Sequence, residues 1–421
     1  MANSLPKHYT KKLSNGLEIV AIEMKNNSSV ISSNIIYKVG SVNEKMGKSG
    51  IAHMLEHLNF KSIKNLQAGE FDEIVKRFGG VNNASTSFDY TQYFIKSSSK
   101  NLDKSLELFA ELMQNLNLKD EEFQPERDVV AEERRWRTDN NPMGYLQFRL
   151  FNNAYIYHPY HWTPIGFTND IKNWTIDDIK EFHATYYQPK NAIILVAGDI
   201  DAEAVFESAE KYFAKIENKI ENIPEIYTHE PKPDGEKRAV IYKDSEVEML
   251  TIAFRIPNFE DPDQVGLSAL GELLSNGQSS RFQTKLVDEK KLVNSIYGYS
   301  YDLKYPGLFM IFAVCNEGVK AEKVEKEILL ELEKIKTQGI LHEEIEKLKI
   351  NTKAQFVYSL ESSSSVADMF SSYLARGNIE PLMNYENEIN KLSQEKLKEI
   401  ANKYFIKENS ITMILRKEDN K

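Results

Sequence analysis

Two histidines and a glutamate interrupt an apolar run between Gly50 and Phe60, GIAHMLEHLNF. His53 and His57 stand four residues apart, so on a helix they share a face, with Cβ atoms about 5–6 Å apart. Two imidazoles so placed can hold one metal ion. Glu56, three residues after His53, reaches a water on that ion. The order is H-x-x-E-H, the reverse of the more familiar zinc helix, whose glutamate follows the first histidine. Zinc with three protein ligands keeps its fourth position for water and lowers that water's pKa to about 7. A neighbouring carboxylate can take the proton as the water attacks a carbonyl, then pass it to a leaving amine.

The third ligand is sought in PERDVVAEERRW, residues 125–136. On a helix Glu126 and Glu133 lie two turns apart and share a face, whereas Glu132 points about 100° away from Glu133. The apolar pair Val129 and Val130 falls on the Glu126/Glu133 side and favours Glu133, leaving Glu132 open. His158 and His161 in HPYHW read as members of a polar loop rather than as ligands.

The elements that must position these groups occur twice. GIAHMLEHL at Gly50–Leu58 aligns with GLSALGELL at Gly266–Leu274, and EFHATYYQPKNAIILVAG at Glu181–Gly198 aligns with EIANKYFIKENSITMILR at Glu399–Arg416. The offsets are nearly equal, 216 and 218 positions, so one long unit is repeated in order. Each copy opens with strands, LEIVAIEM and VISSNIIYKVGS in the first, RAVIYKD and MLTIAFRIP in the second. Amphipathic helices such as LDKSLELFAELMQNL and KVEKEILLELEKIKTQG follow, and an apolar strand closes each copy, AIILVAGD or SITMILR. This pattern predicts two α+β domains of similar fold, each a mostly antiparallel sheet with helices packed on one face. The expected domains are residues 1–220, carrying the zinc motif, and 237–421, a homologous domain without it. The join falls in the proline- and charge-rich stretch at 216–238. In the second copy Ala269 and Leu273 replace the two histidines while Glu272 stands opposite Glu56, so the helix can be built without imidazoles. The serine-rich SLESSSSVADMF, residues 359–370, is expected to start a serine-capped helix.

Composition narrows the function. With 421 residues, 41% hydrophobic and 28% charged, the chain can bury more than one core. A net charge of −10 argues against a nucleic-acid partner. No apolar stretch is long enough to span a membrane. A single cysteine, Cys315, and an opening without an apolar h-region suit a cytoplasmic protein.

These residues together resemble the pitrilysin/insulinase family of inverted zincins, in particular its two-domain, mitochondrial-processing-peptidase-like members. VGSVNEKMGKSGIAHMLEHLNFKS is similar to the family's strand, loop and zinc helix, and GGVNNASTSFDYTQYF to its substrate-binding edge strand. ERDVVAEE is similar to its third-ligand helix, and HPYHWTPIGFTNDIKNWTIDDIKEFHATYYQPKNAIILVAGD to the end of its first domain. The resemblance implies one zinc per chain on His53, His57 and Glu133, with Glu56 as general base and Glu126 as a supporting acidic group of the catalytic site. It implies that Asn83 and Ala84 lie on the strand whose backbone pairs with an extended peptide. The implied activity is that of a zinc metalloendopeptidase cleaving short or unfolded peptides in an enclosed chamber.

Many members also carry an Arg and a Tyr, seven residues apart, in the second domain. Here those positions, anchored on Ser279–Ser280–Arg281 and Leu292–Val293, are Val287 and Asn294. The expected partner is therefore a sister chain bearing the Arg–Tyr pair, in a heterodimer favoured over a homodimer. The rival reading is a non-catalytic assembly or scaffold subunit of the same fold. Such subunits typically lose the zinc-site residues that are complete here.

Overall fold

A computed structural model describes residues 4–417 and divides the chain into two compact units. In the first, β1 (Lys7–Lys12), β2 (Glu18–Glu23), β3 (Val30–Tyr37), β4 (Val81–Thr86), β5 (Thr91–Ser98) and β6 (Ala192–Gly198) form one sheet in the order β1-β2-β6-β3-β5-β4. Only the β2–β6 pair is parallel. AIILVAG at β6 is buried throughout, as an apolar run at the centre of a sheet must be. The Leu102–Asn115 helix packs on β3 and the Ala202–Phe213 helix on β2, closing a core of Ile31, Ile35, Leu106, Phe109 and Val205.

In the second unit, β7 (Lys237–Lys243), β8 (Met249–Arg255), β9 (Val293–Tyr301), β10 (Leu308–Cys315) and β11 (Ser410–Lys417) take the order β7-β11-β8-β10-β9, with only β7–β11 parallel. Pairing β2 with β7, β3 with β8, β4 with β9, β5 with β10 and β6 with β11 superimposes the two orders, as the repeated sequence predicts. The structure is thus α+β with two homologous, mostly antiparallel sheets.

Each unit also takes a helix from the other half of the sequence. The first comprises residues 1–133, 162–228 and 357–379; the second comprises 134–161, 229–356 and 380–421. The Ser363–Arg376 helix, capped by Ser362 as its serines predict, lies against β3 and β6 in the first unit. The face it covers is partly polar: Gln92 Nε2 donates to Asn34 Oδ1 at 3.0 Å and to Asp368 Oδ1 at 2.8 Å. The Pro142–Ala154 helix lies against β8 and β11 in the second unit.

The Ile51–Leu58 helix is started by a built corner. Gly50 adopts φ 90°, and an added Cβ there would stand 2.7 Å from Trp174 Cζ2 and 2.9 Å from the Ile165 carbonyl oxygen. Buried Glu44 accepts the backbone N–H groups of Gly50 and Ala52, both at 2.8 Å, which satisfies two donors of the helix start. Ser49 is held in turn by Asp170, and its carbonyl accepts from Trp174 Nε1 at 3.1 Å. Gly50→Ala is therefore expected to cost about 2–4 kcal/mol, since it adds left-handed strain to a steric overlap. Thermal melting measures this, and a Tm unchanged from wild type would remove the corner from the account.

Candidate metal centre

The sequence spacing becomes geometry on two helices. His53 is buried and His57 half-buried on the Ile51–Leu58 helix, their rings 4.7 Å apart between centroids and nearly perpendicular. Glu133 comes from the Asp120–Arg134 helix, which presents Glu126, buried Val130 and Glu133 on one face. Val129 does not share that burial and is 49% exposed, so only Val130 carries the apolar-face argument. Glu132 is exposed.

Glu133 Oε2 lies 3.7 Å from His53 Nε2 and 3.3 Å from His57 Nε2. Each of the three residues offers one ligand atom within 4.8 Å of the others, and among the described residues no other such group of histidine, cysteine and carboxylate side chains occurs. A tetrahedral ion with bonds near 2.0–2.1 Å separates its ligand atoms by roughly 3.3–3.4 Å. The donor set, two imidazoles and one carboxylate, therefore fits zinc in both chemistry and spacing.

The surroundings set which nitrogen faces the ion. His57 Nδ1 lies 2.8 Å from Glu126 Oε1, so Nδ1–H donates to that carboxylate and Nε2 keeps its lone pair for a metal. Glu126 Oε2 is bound by Lys61 Nζ at 2.5 Å. Burial alone would raise the Glu126 carboxyl, but the bonds from His57 and Lys61 outweigh it and hold the group below the usual range. Glu126 is therefore an orienting anion beside His57. Lys61 was not singled out from the sequence; its position four residues after His57, one further turn, is the signal that could have found it. Glu44 had no such signal, because its contact with the helix start is made by a loop.

Glu56 projects from the same helix, and its Oε2 accepts the Thr86 hydroxyl at 2.5 Å. Thr86 ends β4, which is an edge strand of its sheet. Along it Val81, Asn83 and Ser85 are exposed while Asn82, Ala84 and Thr86 are half-buried. The Ala84 N–H donates to the Asn83 side-chain oxygen at 2.9 Å. In the second unit Val287 packs against the core and Asn294 is exposed on β9. His158 departs from the polar-loop expectation: it is buried, against Tyr160 and Tyr305. No helix among the described residues is long and apolar enough to cross a membrane.

Comparison with known proteins gives two family matches, "Insulinase (Peptidase family M16)" over residues 19–162 and "Peptidase M16 inactive domain" over residues 173–380. The chain is 55% identical to the zinc protease PqqE of Helicobacter pylori, over 98% of this chain and 93% of that one. It is 24% identical to the probable mitochondrial-processing peptidase subunit beta of Arabidopsis thaliana, over 95% of this chain and 77% of that one. A crystal structure of a protease from Helicobacter pylori superimposes with a TM-score of 0.96 at 54% identity, covering 98% of this chain and all of that one.

In the metal-free chain, burial would depress the His57 imidazole, but its bonds with Glu126 and Glu133 prevail and push it up to about 9 from 6.5. A folded value above the unfolded one means that protonated His57 stabilises the fold fully below pH 6.5, and that this contribution is lost as pH rises through about 9. The metal-free protein is expected to lose on the order of 3 kcal/mol across that window. Zinc competes with the proton for Nε2 and should flatten the slope. Melting chelator-treated and zinc-loaded protein from pH 6.5 to 9 tests this; identical slopes would rule out His57 as the group responsible.

Proposed function

The chain belongs to the insulinase family of peptidases, M16, and on that premise we propose that it is a zinc-dependent endopeptidase acting on short or unfolded peptides. The observation that carries this reading is the convergence of His53, His57 and Glu133 on one point, with Glu56 on the helix that bears both histidines. The three side chains would hold one zinc. Bound there, zinc supplies a Lewis acid and brings a ligated water to a pKa of about 7. Glu56 is the general base that takes the attacking water's proton and returns it to the departing amine. Glu126 keeps His57 in the tautomer that offers Nε2.

The peptide would add to β4 as a further strand. β4 is an edge, and its Asn83–Ala84 stretch would offer main-chain groups to an incoming strand. Main-chain pairing of this kind places little demand on sequence, which suits a peptidase of extended substrates. The first unit carries this chemistry, all of it on residues before Arg134. The second has Ala269 and Leu273 in place of the histidines, in keeping with the "inactive domain" description of its family match.

With Val287 and Asn294 where an Arg–Tyr pair is expected, the substrate-facing cation and phenol would come from a sister chain in a heterodimer. Similarity to a relative named as a subunit, the mitochondrial-processing peptidase beta chain, supports a dimer. Purification from the native cell should return a second M16-like polypeptide; recovery of this chain alone, fully active, would overturn the partner.

Glu56→Gln should retain stoichiometric zinc and lose cleavage of a quenched fluorescent peptide library by at least a hundredfold. His53→Ala and Glu133→Gln should lose the metal itself. Metal content and turnover are measured on the same samples, together with the partner chain if one co-purifies. Full turnover in Glu56→Gln would sink the mechanism.

A further inference from the structure

The β4 hairpin and the Ile51–Leu58 helix are both tied to the Ser41–Glu44 segment, and one side chain crosses between them onto the base. Thr86 pairs with Thr91 across the hairpin, and the turn closes by Ser87 N to Tyr90 O at 2.9 Å. The Ser87 and Phe88 carbonyls accept from Ser41 N at 3.2 Å and Val42 N at 2.9 Å, so the hairpin tip is stitched to the segment running into Glu44. An added Cβ on Gly40 would stand 2.4 Å from the Ser87 oxygen, which leaves that junction no slack. Glu44 in turn caps the helix that carries Glu56. Thr86 is β-branched and on a strand, so its hydroxyl direction is largely set by the backbone.

We propose that Thr86 is a positioning residue, whose hydroxyl fixes the Glu56 carboxylate in the orientation that meets the attacking water and ties the base to the strand that pairs with the peptide. The contact, Thr86 Oγ1 to Glu56 Oε2 at 2.5 Å, is a short charge-assisted hydrogen bond. A carboxylate has about four lone-pair sites. Thr86 occupies one of them, on Oε2. Strand displacement and base displacement are thereby one event: a peptide that seats poorly on β4 also disturbs the base. This inference rests on the reading of Glu56 as general base.

The test compares wild type with Thr86→Val, which keeps the shape and removes the donor, and Thr86→Ser, which keeps the donor. All are measured with the full chain and any co-purifying partner. Thr86→Val should lower kcat about tenfold or more, with zinc content intact and KM within about twofold, and Thr86→Ser should recover most of the loss. Unchanged kcat in Thr86→Val overturns the proposal, as does a rise in KM alone, which would make Thr86 a substrate contact. Loss of zinc overturns it too, because a merely structural role would act that way.

A second measurement does not need turnover. Thr86→Val, Glu56→Ala and the double variant, all metal-free, are melted as a cycle. Shifts in Tm that are clearly non-additive support the contact, and additive shifts overturn it. Zinc-loaded wild type that cleaves nothing even with its co-purified partner would defeat the peptidase reading, and the cycle would still decide the Thr86 contact.

Discussion

Three donor atoms must lie little more than 3 Å apart although they come from two helices, His57 and its partner Glu126 being 69 residues apart in sequence. That requirement organises the first unit. An imidazole pair four residues apart is a local property of one helix, but the carboxylate is not local. It is brought in by packing of the Asp120–Arg134 helix through Val130 into the common core. A shift of about 1 Å between the helices would take Glu133 out of reach of one imidazole. The corner at Gly50, the Glu44 cap and the Asp170–Ser49 bonds serve to prevent such a shift, and the Glu44 bonds are buried, where a hydrogen bond resists opening most strongly.

Charge balance is the second consequence of the same crowding. Two carboxylates and two imidazoles gathered in a partly buried space are tolerable because each has an assigned partner. Lys61 faces Glu126, Glu126 faces His57, and Glu133 faces both imidazoles. Without a metal, a proton on His57 supplies the missing positive charge. In the metal-free chain a cation therefore still stands between the two carboxylates.

Much of this was legible in the sequence, for reasons tied to range. The H-x-x-E-H spacing needs only one helical turn, and the two sheets needed only period-two and β-branched runs, repeated in order. LEIVAIEM and AIILVAGD appear as β2 and β6, and NNAST lies on an edge strand as the family resemblance implies. Assigning the third ligand from Val129 and Val130 was half right, because only Val130 is buried. His158, expected in a polar loop, is buried, and one of the rings against it is Tyr305, far along the chain. Thr86 and Glu44 were invisible for the same reason: each acts through a contact closed by a turn, and no periodicity marks such a contact.

The exchanged helices bear on how the molecule comes into being. The sheet that carries the H-x-x-E-H helix is covered on β3 and β6 by residues 363–376, so its layers are incomplete until that helix has emerged from the ribosome. Contacts of such long sequence separation form slowly, since the loop must close before they reward it. During synthesis the nascent first half would expose the face that Ser363–Arg376 later covers. That face is lined in part by Ser32, Asn34 and Gln92 rather than by an unbroken apolar surface. A polar lining there leaves the waiting sheet less adhesive than an unbroken apolar face would be.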